Sequence, residues 1–234
     1  MDLLTMTWRD VGFMHWPVEP DTVEATLPDG LEVDTYDGQA WLSVVPFRMA
    51  DIRPRGSPIG RSFGELNLRT YVIADGTPGV YFYNLDADDR LSVTLARRLF
   101  QLSYYQASMR VRTDGESVEF RSSRTSSRAP PADFHATYEP TEPPSTPDPG
   151  SVESFLVERY RFYAASDDGT VYYADIDHEP WPLQAGRADI RTNGLFAASG
   201  FDSPDGDPLV HYCAEIPVTA GRLHRLDGVA QYTD

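Results

Sequence analysis

The chain has 234 residues, a single cysteine and a net charge of -16, from 20 basic and 36 acidic residues. This charge argues against a nucleic-acid partner, because phosphates bind to basic surfaces, and the lone Cys213 excludes an intrachain disulfide and a cysteine-rich metal site. No apolar run reaches transmembrane length and the first residues, MDLLTMTWRD, lack signal-peptide features, so we expect no membrane partner and a cytoplasmic location.

The first half of the chain is predicted to contain two helices and three hairpins. Residues 19–31 indicate a short helix that Asp21 caps, with Glu24 three positions further on. Residues 88–103 have apolar side chains at helical spacing after two aspartates, which predicts a second helix. Antiparallel hairpins with Asp-Gly turns are predicted over residues 31–54, 64–87 and 104–124.

The second half begins with the most basic stretch, RSSRTSSR over 121–128, which lacks interleaved aromatic residues and is interpreted as the end of a hairpin and a loop. Residues 139–151 are rich in proline and are predicted to form a surface loop inside a single domain that spans 1–234. A helix that leads into a strand is expected over 151–165, and further strands over 169–184 and 209–226. The whole pattern predicts an α+β fold, predominantly an antiparallel β-barrel or strongly curled sheet with a few short helices.

Several segments in this order resemble the YqjF-like proteins, a family of unknown function whose fold is similar to that of acetoacetate decarboxylase. The resemblance covers residues 7 to 226 and is carried by GQAWLSVVPFRM, FGELNLRTYV, PGVYFYNLDAD, ARRLFQLSYYQASM, FLVERYRFY, HEPWPLQ and VHYCAEIPV. It implies a cone-shaped barrel with a site in its lumen.

The chemistry of the decarboxylases cannot carry over to this chain. All 20 basic residues are arginine, and imine catalysis needs a lysine amine, which the permanently charged guanidinium cannot replace. The segment that corresponds to the lysine region, FQLSYYQAS, offers Tyr104 and Tyr105 instead, of which one should point into the lumen. The sequence therefore excludes a lysine Schiff-base decarboxylase.

Residues 65–72, ELNLRTYV, give the clearest candidate site. Alternation along a strand places four polar side chains on one face: Glu65, Asn67, Arg69 and Tyr71. A half-exposed sheet with this face in water fits the composition equally well. In a barrel the face would line the lumen, where Arg69 would bind the carboxylate of a small acid and Glu65 would be its partner or a proton acceptor. Tyr81 and Tyr83, on the facing strand of the hairpin, would add aromatic walls.

Two histidines are further candidates for acid–base chemistry beside Glu65. They are His211 and His178, because histidine as a residue type suits proton transfer near neutral pH, and Trp181 beside His178 is a candidate ligand contact. For His178 a structural role is favoured, because the prolines of HEPWPL indicate a rigid turn. No histidine pair has the spacing of metal ligands, so we expect neither a metal nor another cofactor.

The absence of lysine from an acidic chain is typical of salt-adapted proteins, although a GC-rich genome also favours arginine. Three functions remain open at this point. The first is the binding of a small anionic or carbonyl-bearing molecule in the lumen, the second is a lyase or isomerase that uses no covalent intermediate, and the third is a protein-interaction module with a filled barrel. Assembly into a homo-oligomer is compatible with each of them.

Overall fold

The computed structural model describes residues 3–89, 104–166 and 168–226. Within these ranges the strands are β1 (Leu4–Val18), β2 (Glu32–Val33), β3 (Ala40–Pro54), β4 (Arg61–Ala74), β5 (Thr77–Ala87), β6 (Tyr104–Asp114), β7 (Ser117–Arg124), β8 (Asp133–Pro140), β9 (Arg161–Ala165), β10 (Val171–Asp177), β11 (Gln184–Asn193), β12 (Leu209–Ala220) and β13 (His224–Arg225). The helices are α1 (Pro20–Glu24), α2 (Val152–Val157) and α3 (Leu195–Ala198). No helix among the described residues is long and apolar enough to cross a membrane.

The strand pairings close two rings that share one wall. The smaller ring follows the order β10, β9, β5, β4, β3, β1, β12 and returns to β10. The larger ring follows β5, β6, β7, β8, β11, β12, β1, β3, β4 and returns to β5. Strand β5 is parallel to β6 and β9, whereas the other pairings between described strands are antiparallel. The predicted barrel with a few short helices is therefore confirmed.

Strand β4 lies in the shared wall, and this position explains why both of its faces are buried. Leu66 and Leu68 pack into the core of the larger ring, together with Phe120 and Phe134 of β7 and β8. Tyr71, on the alternate face, packs into the core of the smaller ring. The polar face of ELNLRTYV thus points into the smaller ring and not into water.

An irregularity at Asp10 turns the second half of β1 towards the same interior. Asp10 has a φ of 52°, and the pairing of β1 with β3 shifts register between Arg9 and Met14. Aspartate tolerates this left-handed conformation better than most residues. As a result Trp8, before the irregularity, and Phe13, after it, both pack against the core of the smaller ring.

Most predicted elements of the first half are confirmed, with two corrections. The hairpins over 64–87 and 104–124 form as β4–β5 and β6–β7. Within 31–54, Tyr36 and Gln39 pair across the Asp-Gly turn, but β2 pairs with β4 and not with β3. Helix α1 ends earlier than predicted, and its N-cap is Glu19 without a side-chain hydrogen bond, so the predicted cap at Asp21 is wrong. The helix predicted over 88–103 lies almost entirely outside the described residues.

The proline-rich segment forms the predicted loop between β8 and α2. Most of its residues are exposed, and Ser145 forms an isolated bridge with Leu183. Ser151 caps α2 by accepting a hydrogen bond from the Ser154 backbone N–H at 3.1 Å. The helix leads into β9, as predicted over 151–165.

Candidate functional site

The interior of the smaller ring is mostly apolar, and a cavity of about 100 Å³ opens within it. Among the side chains that line this cavity, Met6, Trp8, Phe82, Leu85 and Phe162 supply an apolar wall. Glu65 and Tyr104 also line it and are its polar groups. A cavity of this size and lining suits a small organic molecule with one or two polar atoms.

Glu65 is only 3% exposed, and its carboxyl accepts a hydrogen bond from the Tyr104 hydroxyl at 2.8 Å. Burial raises the pKa of Glu65 to about 7, although hydrogen bonds from Tyr104 and Asn67 lower it in part. Near neutral pH the carboxyl is therefore present in both protonation states. It can accept a proton from a bound molecule or donate one to it.

Arg69 lies further along the same face of β4, under α2. Its Nη2 donates to the Leu156 carbonyl at 3.1 Å, and its Cζ lies 5.5 Å from the Phe13 ring centroid and 5.8 Å from that of Tyr71. Arg69 is 7% exposed, its Nε has no hydrogen-bond partner, and none of the ion pairs between described residues includes it. A buried cation without a counterion is costly, so this end of the interior favours an anion.

The expected contact between Glu65 and Arg69 is not formed. Four residues along an extended strand separate their Cα atoms by about 13 Å. Each side chain has other neighbours, Tyr104 for Glu65 and the Leu156 carbonyl for Arg69. The interior therefore holds two separate polar centres.

A buried hydrogen-bond chain that was not anticipated from the sequence lies next to Arg69. Ser43 lies opposite Arg69 in the β3–β4 pairing, and its Oγ is 2.7 Å from both His15 Nδ1 and the Tyr71 hydroxyl. Burial, then His211 and then Arg69, hold the pKa of His15 well below its ordinary value. His15 was not a candidate because no strand was predicted over residues 4–18. Without that strand, side-chain alternation could not place His15 inside or outside the barrel.

The other predicted site residues, His211, Trp181 and His178, do not all lie inside the smaller ring. His211 lies beside His15, with ring centroids 5.6 Å apart, and burial lowers its pKa. Trp181 is 2% exposed and packs edge-on against Phe13 at 5.1 Å, inside the smaller ring. His178 lies at the outer end of this aromatic group, stacked on Tyr160 at 4.6 Å, with Nδ1 2.8 Å from the Glu179 carbonyl oxygen.

Tyr81 and Tyr83 do not share the face of Arg69, so their predicted placement is wrong. The β4–β5 register shifts between Leu68 and Arg69, which brings Phe82 opposite Arg69 and leaves both tyrosines on the other face. There Tyr83 is 2.7 Å from the Thr26 hydroxyl, and Tyr81 packs in the separate cluster that contains Val72. A bulge in β5 reversed the alternation on which that prediction rested.

The two adjacent tyrosines are now distinguished. Tyr104 faces the cavity and contacts Glu65. The Tyr105 ring instead lies 4.7 Å from the guanidinium carbon of Arg124. Arg124 in turn forms a buried ion pair with Asp86, with Nε 2.7 Å from Oδ1. Tyr105 therefore belongs to a different polar cluster, and the cavity contact is made by Tyr104.

Buried polar atoms without partners are concentrated in the smaller ring. Among the described residues, such atoms on its inner side chains are Trp8 Nε1, His15 Nε2, Asn67 Oδ1, Arg69 Nε, Trp181 Nε1 and His211 Nδ1. Each unpaired buried group costs about 1–3 kcal/mol, so a polar guest that pairs with several of them would bind favourably.

Comparisons with known proteins agree with this architecture. Residues 5–217 match the model of the family DUF2071, described as an uncharacterized conserved protein. The chain is 44% identical to the uncharacterized protein YqjF of Bacillus subtilis (strain 168) over 213 residues, which cover 90% of this chain and 87% of that protein.

Solved structures show the same fold at low sequence identity. An acetoacetate decarboxylase-like enzyme from Sphingomonas wittichii RW1 is 15% identical, with a TM-score of 0.66 over 98% of this chain and 95% of that one. The acetoacetate decarboxylase of Legionella pneumophila is 16% identical, with a TM-score of 0.67 over 99% of this chain and 89% of that one. The enduracididine biosynthesis enzyme MppR in complex with pyruvate is 12% identical, with a TM-score of 0.68 over 98% of this chain and 93% of that one. The fold is therefore that of acetoacetate decarboxylase, and the chain belongs to the DUF2071 family of YqjF-like proteins.

Proposed function

We propose that the protein binds a small organic molecule with a carbonyl or carboxylate group inside the smaller ring. The cavity beside Glu65 and Tyr104 is the observation that carries this proposal. Its apolar wall would hold the carbon skeleton, while the protonated Glu65 carboxyl is a hydrogen-bond donor for an oxygen of the ligand and the Tyr104 hydroxyl, whose proton goes to Glu65, is an acceptor. A filled barrel would lack such a cavity, so binding is favoured over a purely structural module.

The second polar centre supports an anionic group on the ligand. Arg69 is buried without a carboxylate partner among the described residues, and its free Nε could donate to a ligand carboxylate. A molecule that carries its carbonyl and its carboxylate several carbon atoms apart would reach both ends of the interior, whereas a shorter keto acid would contact one of them. MppR, which has the same fold, is known in complex with pyruvate, so pyruvate is a suitable first probe.

A thermal-shift experiment in molar salt tests this proposal. Pyruvate, butyrate and butanone present a keto acid, an acid and a neutral ketone, and each should be compared with matched sodium chloride. Stabilisation follows RT ln(1 + [L]/Kd), which gives about 2.7 kcal/mol at a ligand concentration of 100 Kd. We expect pyruvate to stabilise the wild type, and Arg69→Met to reduce the effect of the two acids more than that of the ketone.

Arg187→Met is the matched control, because Arg187 is paired with Glu139 on the surface and its side chain is 75% exposed. It should respond to all three probes like the wild type. The proposal fails if no probe stabilises the wild type. The assignment of Arg69 fails if Arg69→Met and the wild type respond equally to both acids.

Acid–base catalysis in the same cavity is a second candidate, and the pKa of Glu65 near 7 favours it. A carboxylate there could remove a proton from the carbon next to a ligand carbonyl, with the Tyr104 hydroxyl beside it. Exchange of pyruvate methyl protons in D₂O, followed by NMR, would report this step. Glu65→Gln should lower the enzyme-dependent rate by about 10²-fold or more. If methyl protons exchange no faster with the wild-type protein than in buffer alone, this activity is excluded for pyruvate.

A further inference from the structure

The polar groups of the Glu65 cavity accept hydrogen bonds and supply no positive charge. No arginine or histidine lines the cavity among the described residues. The Tyr104 hydroxyl gives its proton to Glu65 and keeps its lone pairs for a bound molecule. Of the described side chains in the lining, Trp8 alone carries an N–H group, and its Nε1 is fully buried. When Glu65 is ionised, the polar side-chain atoms open to the cavity are therefore acceptors.

The ionised Glu65 carboxylate has no cationic partner of its own. None of the ion pairs between described residues includes it. Its neighbours across the strands are Phe47 of β3 and Ala87 of β5, and the side chains that hydrogen-bond to it are Tyr104 and Asn67. All four are uncharged. A buried carboxylate in such surroundings is costly, so it favours a bound cation.

The apolar wall of the cavity suits an organic cation better than an inorganic one. Trp8, Phe82 and Phe162 line it, and the two phenylalanine rings lie 6.0 Å apart with 52° between their planes. Aromatic rings attract an ammonium group within about 6 Å of their centroid, and they also pack against an alkyl chain. The volume of about 100 Å³ limits such a guest to a few carbon atoms.

From these contacts we propose that the Glu65 cavity also binds a small primary alkylammonium ion, whose N–H groups donate to the Glu65 carboxylate and to the Tyr104 oxygen. This inference rests on the proposed function only in that the cavity is a ligand site, and it adds a second chemical class of ligand. Protonation of Glu65 then selects between the classes. The neutral carboxyl donates to a carbonyl, whereas the carboxylate pairs with an ammonium group.

The two classes should therefore depend on pH in opposite ways. Burial raises the pKa of Glu65 to about 7, and hydrogen bonds from Tyr104 and Asn67 offset this in part. A primary amine stays protonated in this range, since its pKa resembles that of lysine, about 10.4. Ammonium binding needs the ionised carboxyl, so it should be about tenfold weaker at pH 6 than at pH 8.5. Butanone should bind more weakly at pH 8.5 than at pH 6.

The test is isothermal titration calorimetry with isobutylammonium chloride at these two pH values and constant ionic strength. Isobutanol is the matched probe, because a neutral hydroxyl replaces the ammonium group on the same carbon skeleton. At pH 8.5 we expect the ammonium ion to bind at least tenfold more tightly than isobutanol. Equal affinities for the two probes at both pH values would overturn the proposal, and this comparison on the wild type needs no variant.

Two carboxylate variants separate the cavity from general charge. Glu65→Gln should weaken isobutylammonium binding by at least tenfold at pH 8.5 and abolish the difference between the two pH values. Glu116→Gln, at an exposed turn, removes the same charge elsewhere and should bind like the wild type. Unchanged isobutylammonium binding in Glu65→Gln would overturn the proposal. If butanone binds to the wild type and isobutylammonium does not, this inference alone fails; if no probe binds, the proposed function fails with it.

Discussion

The Tyr104 hydroxyl donates a 2.8 Å hydrogen bond to Glu65 and so connects the first residue of β6 with the middle of the shared wall. The two side chains are 8% and 3% exposed, and both line the cavity of the smaller ring. A buried carboxyl group would have a still higher pKa without this donor, because the hydrogen bond favours the ionised form. The pair therefore keeps Glu65 titratable near neutral pH inside an apolar wall.

The first prediction concerns the effect of Glu65 on stability as pH changes. Its pKa in the folded protein is about 7 against a reference of 4.5, so between these values the folded state binds more protons than the unfolded state. Stability due to this group is therefore complete below about pH 4.5 and is lost as pH rises through 7, with a total of about 3 kcal/mol. Denaturant unfolding at several pH values should show this loss in the wild type.

Glu65→Gln removes the titration and keeps a polar side chain of the same size. Relative to the wild type, the variant should gain about 3 kcal/mol in free energy of unfolding between pH 4.5 and pH 8. Glu116→Gln, at an exposed turn, is the control and should parallel the wild type. A constant difference between Glu65→Gln and the wild type across this range would show that the carboxyl is not held in its neutral form.

The sequence predicted where the hairpins lie better than it predicted which side of a strand each side chain occupies. Asp-Gly turns located β4–β5 and β6–β7, because the turn type depends on two adjacent residues that tolerate positive φ. Alternation from Glu65 to Tyr71 correctly grouped one polar face, since β4 itself is regular. The same reasoning failed for Tyr83, because the β5 bulge follows from packing between strands and leaves no local signature.

The site was predictable in part for a related reason. Glu65 and Tyr104 were both candidates, but their contact depends on the parallel pairing of β5 and β6, which are separated by residues 88–103 in the sequence. His15 was missed because β1 is buried on both faces after Asp10 and lacks the alternation that identifies a half-exposed strand. These features of the site depend on pairing between strands that are distant in the sequence, and local sequence patterns do not predict that pairing.

A second prediction concerns the buried ion pair of Arg124 and Asp86, whose side chains are 1% and 0% exposed. Two hydrogen bonds join them, and a third joins Arg124 to the Pro130 carbonyl. Removing one partner leaves an uncompensated buried charge, so Arg124→Met should lower the free energy of unfolding by about 3–5 kcal/mol. Denaturant unfolding measures this loss.

The exposed pair of Arg187 and Glu139 provides the comparison. Arg187→Met should change stability by no more than about 0.5 kcal/mol, because a surface pair contributes little. In a double-mutant cycle, Asp86→Asn combined with Arg124→Met should cost less than the sum of the single variants. Additive losses would mean that the two charges do not stabilise each other.

A third prediction concerns the close approach of β5 and β9 at Gly79. A Cβ atom there would lie 2.7 Å from the Arg161 carbonyl oxygen and 2.7 Å from a ring carbon of Tyr163. A backbone carbonyl cannot move aside easily, so Gly79→Ala should cost about 1–3 kcal/mol. Gly221→Ala is the control, since its nearest neighbour would be 3.5 Å away, and it should be nearly neutral. Equal unfolding midpoints for the two variants would contradict this packing.

A fourth prediction separates His15 from Glu65 by the sign of their pH dependence. Burial, His211 and Arg69 lower the pKa of His15, so the unfolded state binds more protons below about pH 6.5. Stability due to this group is present above that pH and is lost as pH falls, by up to about 1.4 kcal/mol per pH unit. This slope opposes that of Glu65 in the same range, so the wild-type profile alone cannot resolve either group.

His15→Gln in the Glu65→Gln background isolates the effect of the histidine. Glu65→Gln alone should lose stability as pH falls from 6.5 to 5, and the double variant should lose clearly less over the same range. His224→Gln in that background is the control, because His224 is exposed in β13. If the double variant lost stability as steeply as Glu65→Gln, the inference that His15 is neutral in the folded protein, where it is hydrogen-bonded to Ser43, would be wrong. A flatter profile would instead show that the buried chain from His15 through Ser43 to Tyr71 depends on an uncharged imidazole.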